Sequence, residues 1–223
     1  MERIDDLQYR GLVLLQDDAL PCFTEDAVLL VRFLRLRPED RVIDIGCGTG
    51  VLSVLGAAHT GASFTGIDIQ PALVSLAARS AALNGQAIAF ETLDARDAPA
   101  RFGHGAFSAA VCNPPYCSAG SPSPDGARAA ARHDAGGTLE TMLRAAFLLL
   151  KNGGRLFLCY PARELVSIAC ALRAHRLEPK RLRLVAQTDA HPPYLALLEA
   201  KKDAHPGVVV EPALLLHPKT EKT

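Results

Sequence analysis

Short apolar runs separated by helical stretches dominate the middle of this chain and leave few ways to fold it. "RVIDIG" (41–46) reads as a buried strand, and 50–59 as the helix after it. "SFTGIDI" (63–69) precedes "PALVSLAARSAALNG" (71–85), a helix with Pro71 in its first turn and Gly85 at its end. "AIAFETL" (87–93) and "FSAAVCN" (107–113) are further strands. "TLETMLRAAFLLLKNGG" (138–154) reads as a helix stopped by its glycine pair, and "RLFLCY" (155–160) as the next strand. A helix near 162–175 and strands near 181–187 and 193–200 complete the series. Such alternation buries a mostly parallel sheet between two helical layers. Only "TDAHP" joins the last two strands. That is too short for the crossover a parallel pair requires, so they pair antiparallel. The expected fold is α/β: a mostly parallel seven-stranded sheet with a C-terminal antiparallel hairpin.

A chain of 223 residues, half of them hydrophobic, suits a single domain with a sizeable core. Within it, 1–38 reads as an N-terminal extension and helix (24–37, with Thr24 as N-cap), and 201–223 as a tail lying on the surface. Lys and Arg balance Asp and Glu at 24 each, so no global charge draws a polyanion, and a nucleic-acid surface would have to be local. The N-terminus lacks the apolar core of a signal peptide, and no apolar run approaches the ~20 residues that span a membrane. The six cysteines are scattered without a CxxC pair, and the histidines lack ligand spacing. A disulfide framework and a metal site are therefore not expected, and a reduced cytoplasmic enzyme is. Oligomeric state has no signal here.

"DIGCGTG" (44–50) ends one strand and opens a helix. Gly46, Gly48 and Gly50 would let the backbone turn tightly beside a ligand at the helix N-terminus. Asp44, just before the loop, disfavours a pyrophosphate but suits a ligand carrying an ammonium group, as S-adenosylmethionine does. Asp68, ending the next strand, is placed to accept both ribose hydroxyls. Asp94, ending the third strand, is a candidate for the adenine amino group, with Asp97 as the alternative. A second constellation, "NPPY" (113–116), follows the fourth strand. Its two prolines can continue neither ladder nor helix, so Asn113 is held in stiff, irregular backbone with Tyr116 just beyond.

"DIGCGTG", "GIDI" and "NPPY", in that order, resemble the motifs of S-adenosylmethionine-dependent amino-group methyltransferases, whose fold is Rossmann-like. "FTEDAVLLVRF", "ARHD", "LLKNGGRLFL" and "LEPKRLRLV" extend the likeness over roughly 10–215, and the chain resembles the bacterial tRNA1(Val) adenosine-37 N6-methyltransferase family. In the tail, "AHPGVVVEP" keeps only part of that family's Gly-Lys-Pro-Gly-like turn. The resemblance implies methyl transfer to N6 of an adenine in tRNA, adenosine 37 of the tRNA(Val) anticodon loop.

That amine is a poor nucleophile because its lone pair is delocalised into the ring. Acceptance of both N–H bonds by the Asn113 side-chain oxygen and the Pro114 carbonyl would aim the lone pair at the methyl. Pro115 would fix the direction of that carbonyl, and Tyr116 would stack on the base. The Ser-, Pro- and Gly-rich 117–137 reads as a substrate-facing loop bearing Arg128, Arg132 and His133, or as a plain connector. "RAHRLEPKRLR" (173–183) carries six basic residues against one acidic, which nominates Arg181 and Arg183 as RNA contacts. The competing readings are a protein glutamine N5-methyltransferase, an rRNA amino-group methyltransferase and a non-catalytic cofactor-binding module. The first usually needs a recognition domain before the glycine loop, where only some forty residues stand.

Overall fold

The computed structural model describes residues 1–114 and 135–217, with only the backbone described at 135–138. Its central sheet is built from β3 (Arg41–Ile45), β4 (Ser63–Asp68), β5 (Ala89–Thr92), β6 (Phe107–Cys112), β7 (Leu150–Pro161), β8 (Leu177–Ala186) and β9 (Leu195–Lys202). These seven lie in the order β8-β9-β7-β6-β3-β4-β5. β3 pairs in parallel with β4 and β6, β4 with β5, and β6 with β7. β9 runs antiparallel to both β7 and β8. The mostly parallel sheet with antiparallel strands near the C-terminus is the expected one.

Alternation along each strand divides the core in two. Val42, Ala109, Val111, Phe157, Leu195 and Leu197 face one side, where α1 (Glu25–Phe33) and α2 (Val51–Thr60) cover them. Ile43, Ala110, Cys112, Leu156, Leu158 and Leu198 face the other, beneath α5 (Ala135–Leu149) and α6 (Leu165–Ala174). A sheet buried on both faces needs continuous apolar strands, which is why these runs stand out in the sequence. Two further helices, α3 (Pro71–Leu83) and the short α4 (Ala98–Phe102), flank β4 and β5.

Four features depart from the sequence reading. β1 (Glu2–Asp6) and β2 (Val13–Asp17) form an antiparallel hairpin ahead of α1 that the sequence reading did not anticipate. Side chains of α3 and the residue after it hold this hairpin: Asn84 accepts from Val13 N at 3.0 Å and donates to Val13 O at 2.7 Å, and Ser80 Oγ accepts from Leu15 N at 2.9 Å. Second, α1 is shorter than 24–37, and Thr24 makes no side-chain cap bond. Third, α5 stops at Leu149 instead of running to the glycine pair. The next residues belong to β7, and Gly153 (φ +71°) sits in a stretch where the register slips between Leu150 and Arg155. Lys202 helps to end α5 by donating to the carbonyls of Phe147 (2.6 Å) and Leu150 (2.7 Å) while lying over the Phe147 ring.

The fourth departure concerns the basic stretch at 173–183. Arg181 is 6% exposed. It donates to Glu199 at 2.8 Å, to Glu211 at 3.3 Å and to the carbonyl of Phe33 at 2.7 Å, and its guanidinium lies 3.6 Å from the Phe33 ring centroid. Arg183 pairs with the same Glu211 at 2.7 Å. Arg173 pairs with Glu178, Arg176 with Asp203 and His175 with Glu140. Burial and these pairings make Arg181 a strut and argue against its expected contact with RNA, whereas Arg183 is a third exposed beside Glu211. Glu140, Glu199, Asp203 and Glu211, remote in sequence, and Glu178 within the stretch pair with five of its six basic residues, and the buried Arg181 has its donors committed to protein acceptors. Glu211 belongs to the tail, whose short strands β10 (Val209–Val210) and β11 (Leu214–Leu215) extend β8 in parallel.

Candidate active site

The strands diverge at β3: the chain continues through β4 and β5 on one side, and β6 and β7 lie on the other. Ligands of open α/β sheets bind at the carboxyl ends of the strands, where the order reverses. The glycine loop and Asn113 both stand at that end.

Gly46 and Gly48 are glycines for different reasons. Both have positive φ (+74° and +54°). A Cβ on Gly46 would meet the mobile end of the Met142 side chain, which would have to shift, and the positive φ strains any other residue there. A Cβ on Gly48 would meet nothing within 4 Å among the described residues. Gly46 therefore lies against α5, whereas Gly48 faces space left open among the described residues. Gly50 (φ +86°) caps α2, and a Cβ there would crowd Ala77 and Phe90. Ile67 O accepts from both Gly46 N and Cys47 N at 2.9 Å, which pins the loop to β4.

Asp68 ties the same loop from the side. Its Oδ2 accepts from Gly48 N at 3.0 Å and its Oδ1 from Gln70 N at 2.9 Å. Burial raises the carboxyl above its ordinary range, opposed by the N–H groups of Gln70, Gly48 and Ile69. Asp44 is fully buried under the start of α2. Its Oδ2 accepts from Ser53 Oγ at 2.7 Å, whereas its Oδ1 has no partner among the described residues. Burial pushes this carboxyl up to about 7; Ser53 pulls it down, and the charge of Asp68 pushes it further up. A buried oxygen without a donor is costly unless a ligand supplies one. An orphaned carboxylate oxygen, an open Gly48 and Asp68 at the strand end fit a cationic nucleoside such as S-adenosylmethionine.

Asp94 follows β5, and Leu93 N donates to Asp68 O at 2.9 Å, which keeps the two strand ends together. Asp94 accepts from Arg96 N at 2.8 Å and from the Arg96 guanidinium, at 2.7 Å from Nη2. The Arg96 bond is the main reason its carboxyl titrates lower than usual. Asp97 precedes α4 and makes no side-chain cap bond.

Asn113 extends β6 and is half-buried beside β7, and Pro114 is buried. The Asn113 Oδ1 accepts from Cys159 Sγ at 3.1 Å. Pro115, Tyr116, Arg128, Arg132 and His133 lie outside the described residues. Two residues at this end of the sheet have no counterpart in the motifs named above. Ser53 is the partner of Asp44, and its spacing nine residues on, one turn into the helix, is the signal that it can reach back. Tyr194 precedes β9 at the same end of the sheet, its carbonyl accepting from Ala162 N at 2.9 Å. It closes "HPPY" (191–194), a second prolyl-prolyl-tyrosine that the turn between the last strands had hidden. Among the described residues no group of three metal-ligating side chains occurs, and no helix is long and apolar enough to cross a membrane.

The fold and the family match together define a Rossmann-like methyltransferase domain. The methyltransferase-domain family matches residues 36–196. Similar solved structures include a predicted O-methyltransferase from Agrobacterium tumefaciens (TM-score 0.71, 21% identity, 88% of this chain and 90% of that one). Another is a Thermus thermophilus 16S rRNA N2 G1207 methyltransferase (TM-score 0.65, 18% identity, 91% of this chain and 50% of that one). Among curated proteins the chain is similar to tRNA1(Val) (adenine(37)-N6)-methyltransferases. It is 34% identical to that of Dickeya chrysanthemi over 61% of this chain and 55% of the relative. It is 38% identical to that of Shewanella amazonensis over 48% and 47%, so the matches span about half of both relatives. With that of Porphyromonas gingivalis it is 30% identical over 80% of this chain and 72% of the relative. The chain belongs to the tRNA1(Val) (adenine(37)-N6)-methyltransferase family.

Proposed function

We propose that the chain, acting as one methyltransferase domain over 1–223, transfers a methyl group from S-adenosylmethionine to N6 of an adenine in tRNA. The target within that reading is adenosine 37 in the anticodon loop of tRNA(Val), and the place of action is the cytoplasm. The observation that carries the proposal is the position of Asn113: an amide acceptor at the end of β6, on the strand adjoining the Asp44–Gly50 loop. The names of the similar curated proteins support the substrate.

The cofactor, when bound, supplies a methyl group already activated on a sulfonium, so the task left to the protein is positioning. Asp68 holds the ribose hydroxyls and, through Gly48 N, sets the loop that borders them. Asp44 faces the positively charged end, with Asp94 or Asp97 near the adenine. The Asn113 oxygen and the Pro114 carbonyl accept the two N–H bonds of the target amine, turning its lone pair out of the ring. Tyr116 is assigned the role of stacking on the base, and Arg128, Arg132 and His133 that of binding the RNA. A base in an unpaired anticodon loop reaches such a site without the cost of opening a duplex.

Asp68→Ala should weaken S-adenosylmethionine binding by about 1.5–3 kcal/mol, the scale of hydrogen bonds to a charged group. Calorimetry giving an unchanged Kd would remove Asp68 from the cofactor site. The proposal as a whole is tested by incubating the protein with labelled S-adenosylmethionine and total tRNA, rRNA or release factor. Label is expected in tRNA.

A further inference from the structure

We infer that Tyr194 is a stacking platform for the RNA: its ring takes an unpaired base of the anticodon loop that neighbours the methylated one. The inference rests on the reading of tRNA as the substrate. Aromatic side chains make up 5% of this chain, which has no Trp. Tyr194, 36% exposed, is the one aromatic residue among those described that stands open to solvent. A single apolar ring at a surface needs no partner by itself. This one is held on a braced turn at the carboxyl ends of the central strands, where the target base must arrive.

The brace comes from both sides. Tyr194 N donates to Val185 O on β8 at 2.9 Å, and Tyr194 O accepts from Ala162 N, just past β7, at 2.9 Å. Pro192 and Pro193 fix φ at the two residues before it. Earlier in the turn, Thr188 Oγ lies 2.7 Å from His191 Nδ1. Strand register gives the distance to the site. Cys112 is opposite Leu158, so Asn113 is level with Cys159, which is opposite Leu197 on β9. Tyr194 lies three residues beyond Leu197 toward the same end of the sheet, and β9 is two strands from β6. With about 4.8 Å between strands and about 3.3 Å per residue, the two backbones are on the order of 14 Å apart. That separation exceeds the width of one base and lies within the span of a single loop.

The charges around the ring select a base over the backbone. Burial, and then the carboxylates of Asp26 and Glu25 in the first turn of α1, raise the Tyr194 hydroxyl above its ordinary range. It therefore stays neutral, and it forms no hydrogen bond among the described residues. Two carboxylates beside the ring would repel a phosphate, whereas the amino and imino groups of a base can donate to them. Stacking needs only the flat face that every base presents. Single-stranded loops are where RNA exposes such faces to aromatic side chains.

Three substitutions test the platform. Tyr194→Ala should raise KM for tRNA about five- to hundredfold, the loss of one base–aromatic stack, with kcat and the Kd for S-adenosylmethionine within about twofold of wild type. Tyr194→Phe keeps the ring and should hold KM within about twofold of wild type. Because the chain has no Trp, Tyr194→Trp places a single indole at the platform. Its fluorescence should be quenched by the anticodon stem-loop of tRNA(Val) and left unchanged by an RNA duplex, which offers no unpaired base. A wild-type KM in the alanine variant would overturn the inference, as would an indole that saturating stem-loop does not quench or that the duplex quenches equally. A role in folding alone predicts that kcat, KM and the cofactor Kd all worsen together in the alanine variant, and that too would overturn it. If the alanine variant does not fold, quenching in the tryptophan variant decides. Wild-type protein that methylates tRNA while the variants show no effect sinks only the platform. Wild-type protein that transfers label to a protein and none to tRNA sinks the reading of the substrate, and the platform with it.

Discussion

Asn113→Ala is expected to bind S-adenosylmethionine as tightly as the wild type and to methylate at least about a hundred times more slowly. The asymmetry follows from where the residue stands. Asn113 extends β6, whereas the loop and carboxylates read as cofactor ligands lie on β3, β4, β5 and the turns after them. Removing its side chain leaves the Gly48–Asp68 and Asp44–Ser53 contacts in place. The amide oxygen is needed when the target nitrogen turns pyramidal and its N–H bonds seek acceptors outside the ring plane. Loss of one preorganised hydrogen-bonding group at a reacting centre costs about 10²–10³ in rate. Calorimetry and single-turnover methylation on the same preparation check both halves. A normal single-turnover rate would refute the acceptor mechanism, and a large rise in the cofactor Kd would place Asn113 on the other side of the cleft.

The affinity for S-adenosylmethionine should depend steeply on pH, and Asp44 should be the cause. In the free protein its buried carboxyl titrates near 7, so below that it holds a proton. A cation bound against it favours the ionised form, so binding expels the proton. Affinity then rises about tenfold per pH unit as pH approaches about 7, and levels above it. The stability of the free protein has the opposite slope. The folded value lies above the unfolded one of about 3.9, so the native state holds the extra proton between about pH 4 and about pH 7. That contribution is complete below about pH 4 and lost as pH rises through about 7. Asp44→Asn should flatten both dependences. Calorimetry in buffers of differing protonation enthalpy counts the proton released, and a pH-independent Kd without proton release would refute the assignment.

Much of this was legible in the chain because the strands are buried on both faces. Continuous runs such as "RVIDI" and "FSAAVC" announce themselves, and Gly and Pro mark their ends. The positions of Asp44 before the glycine loop and Asp68 at the end of the next strand were legible from those same strand ends. What was hidden depends on partners distant in sequence. The Glu2–Asp17 hairpin is held by Ser80 and Asn84, and nothing in "ERIDD" signals that clasp. The end of α5 at Leu149 lies in "FLLLK", an apolar run equally compatible with either period, and Gly153 serves a strand irregularity instead of a helix stop. The basic stretch at 173–183 resembled a nucleic-acid surface only while Glu140, Glu199, Asp203 and Glu211 were out of view.

Mapping the methylated nucleotide tests the central claim most directly. Total tRNA lacking the modification, incubated with the purified protein and S-adenosylmethionine, should yield N6-methyladenosine on digestion and mass spectrometry. The fragment that carries it should be the anticodon loop of a valine isoacceptor, with adenosine 37 the modified base. Methyl transfer to a glutamine of a release factor or a ribosomal protein, with none to tRNA, would contradict the account and leave the cleft with a different amine.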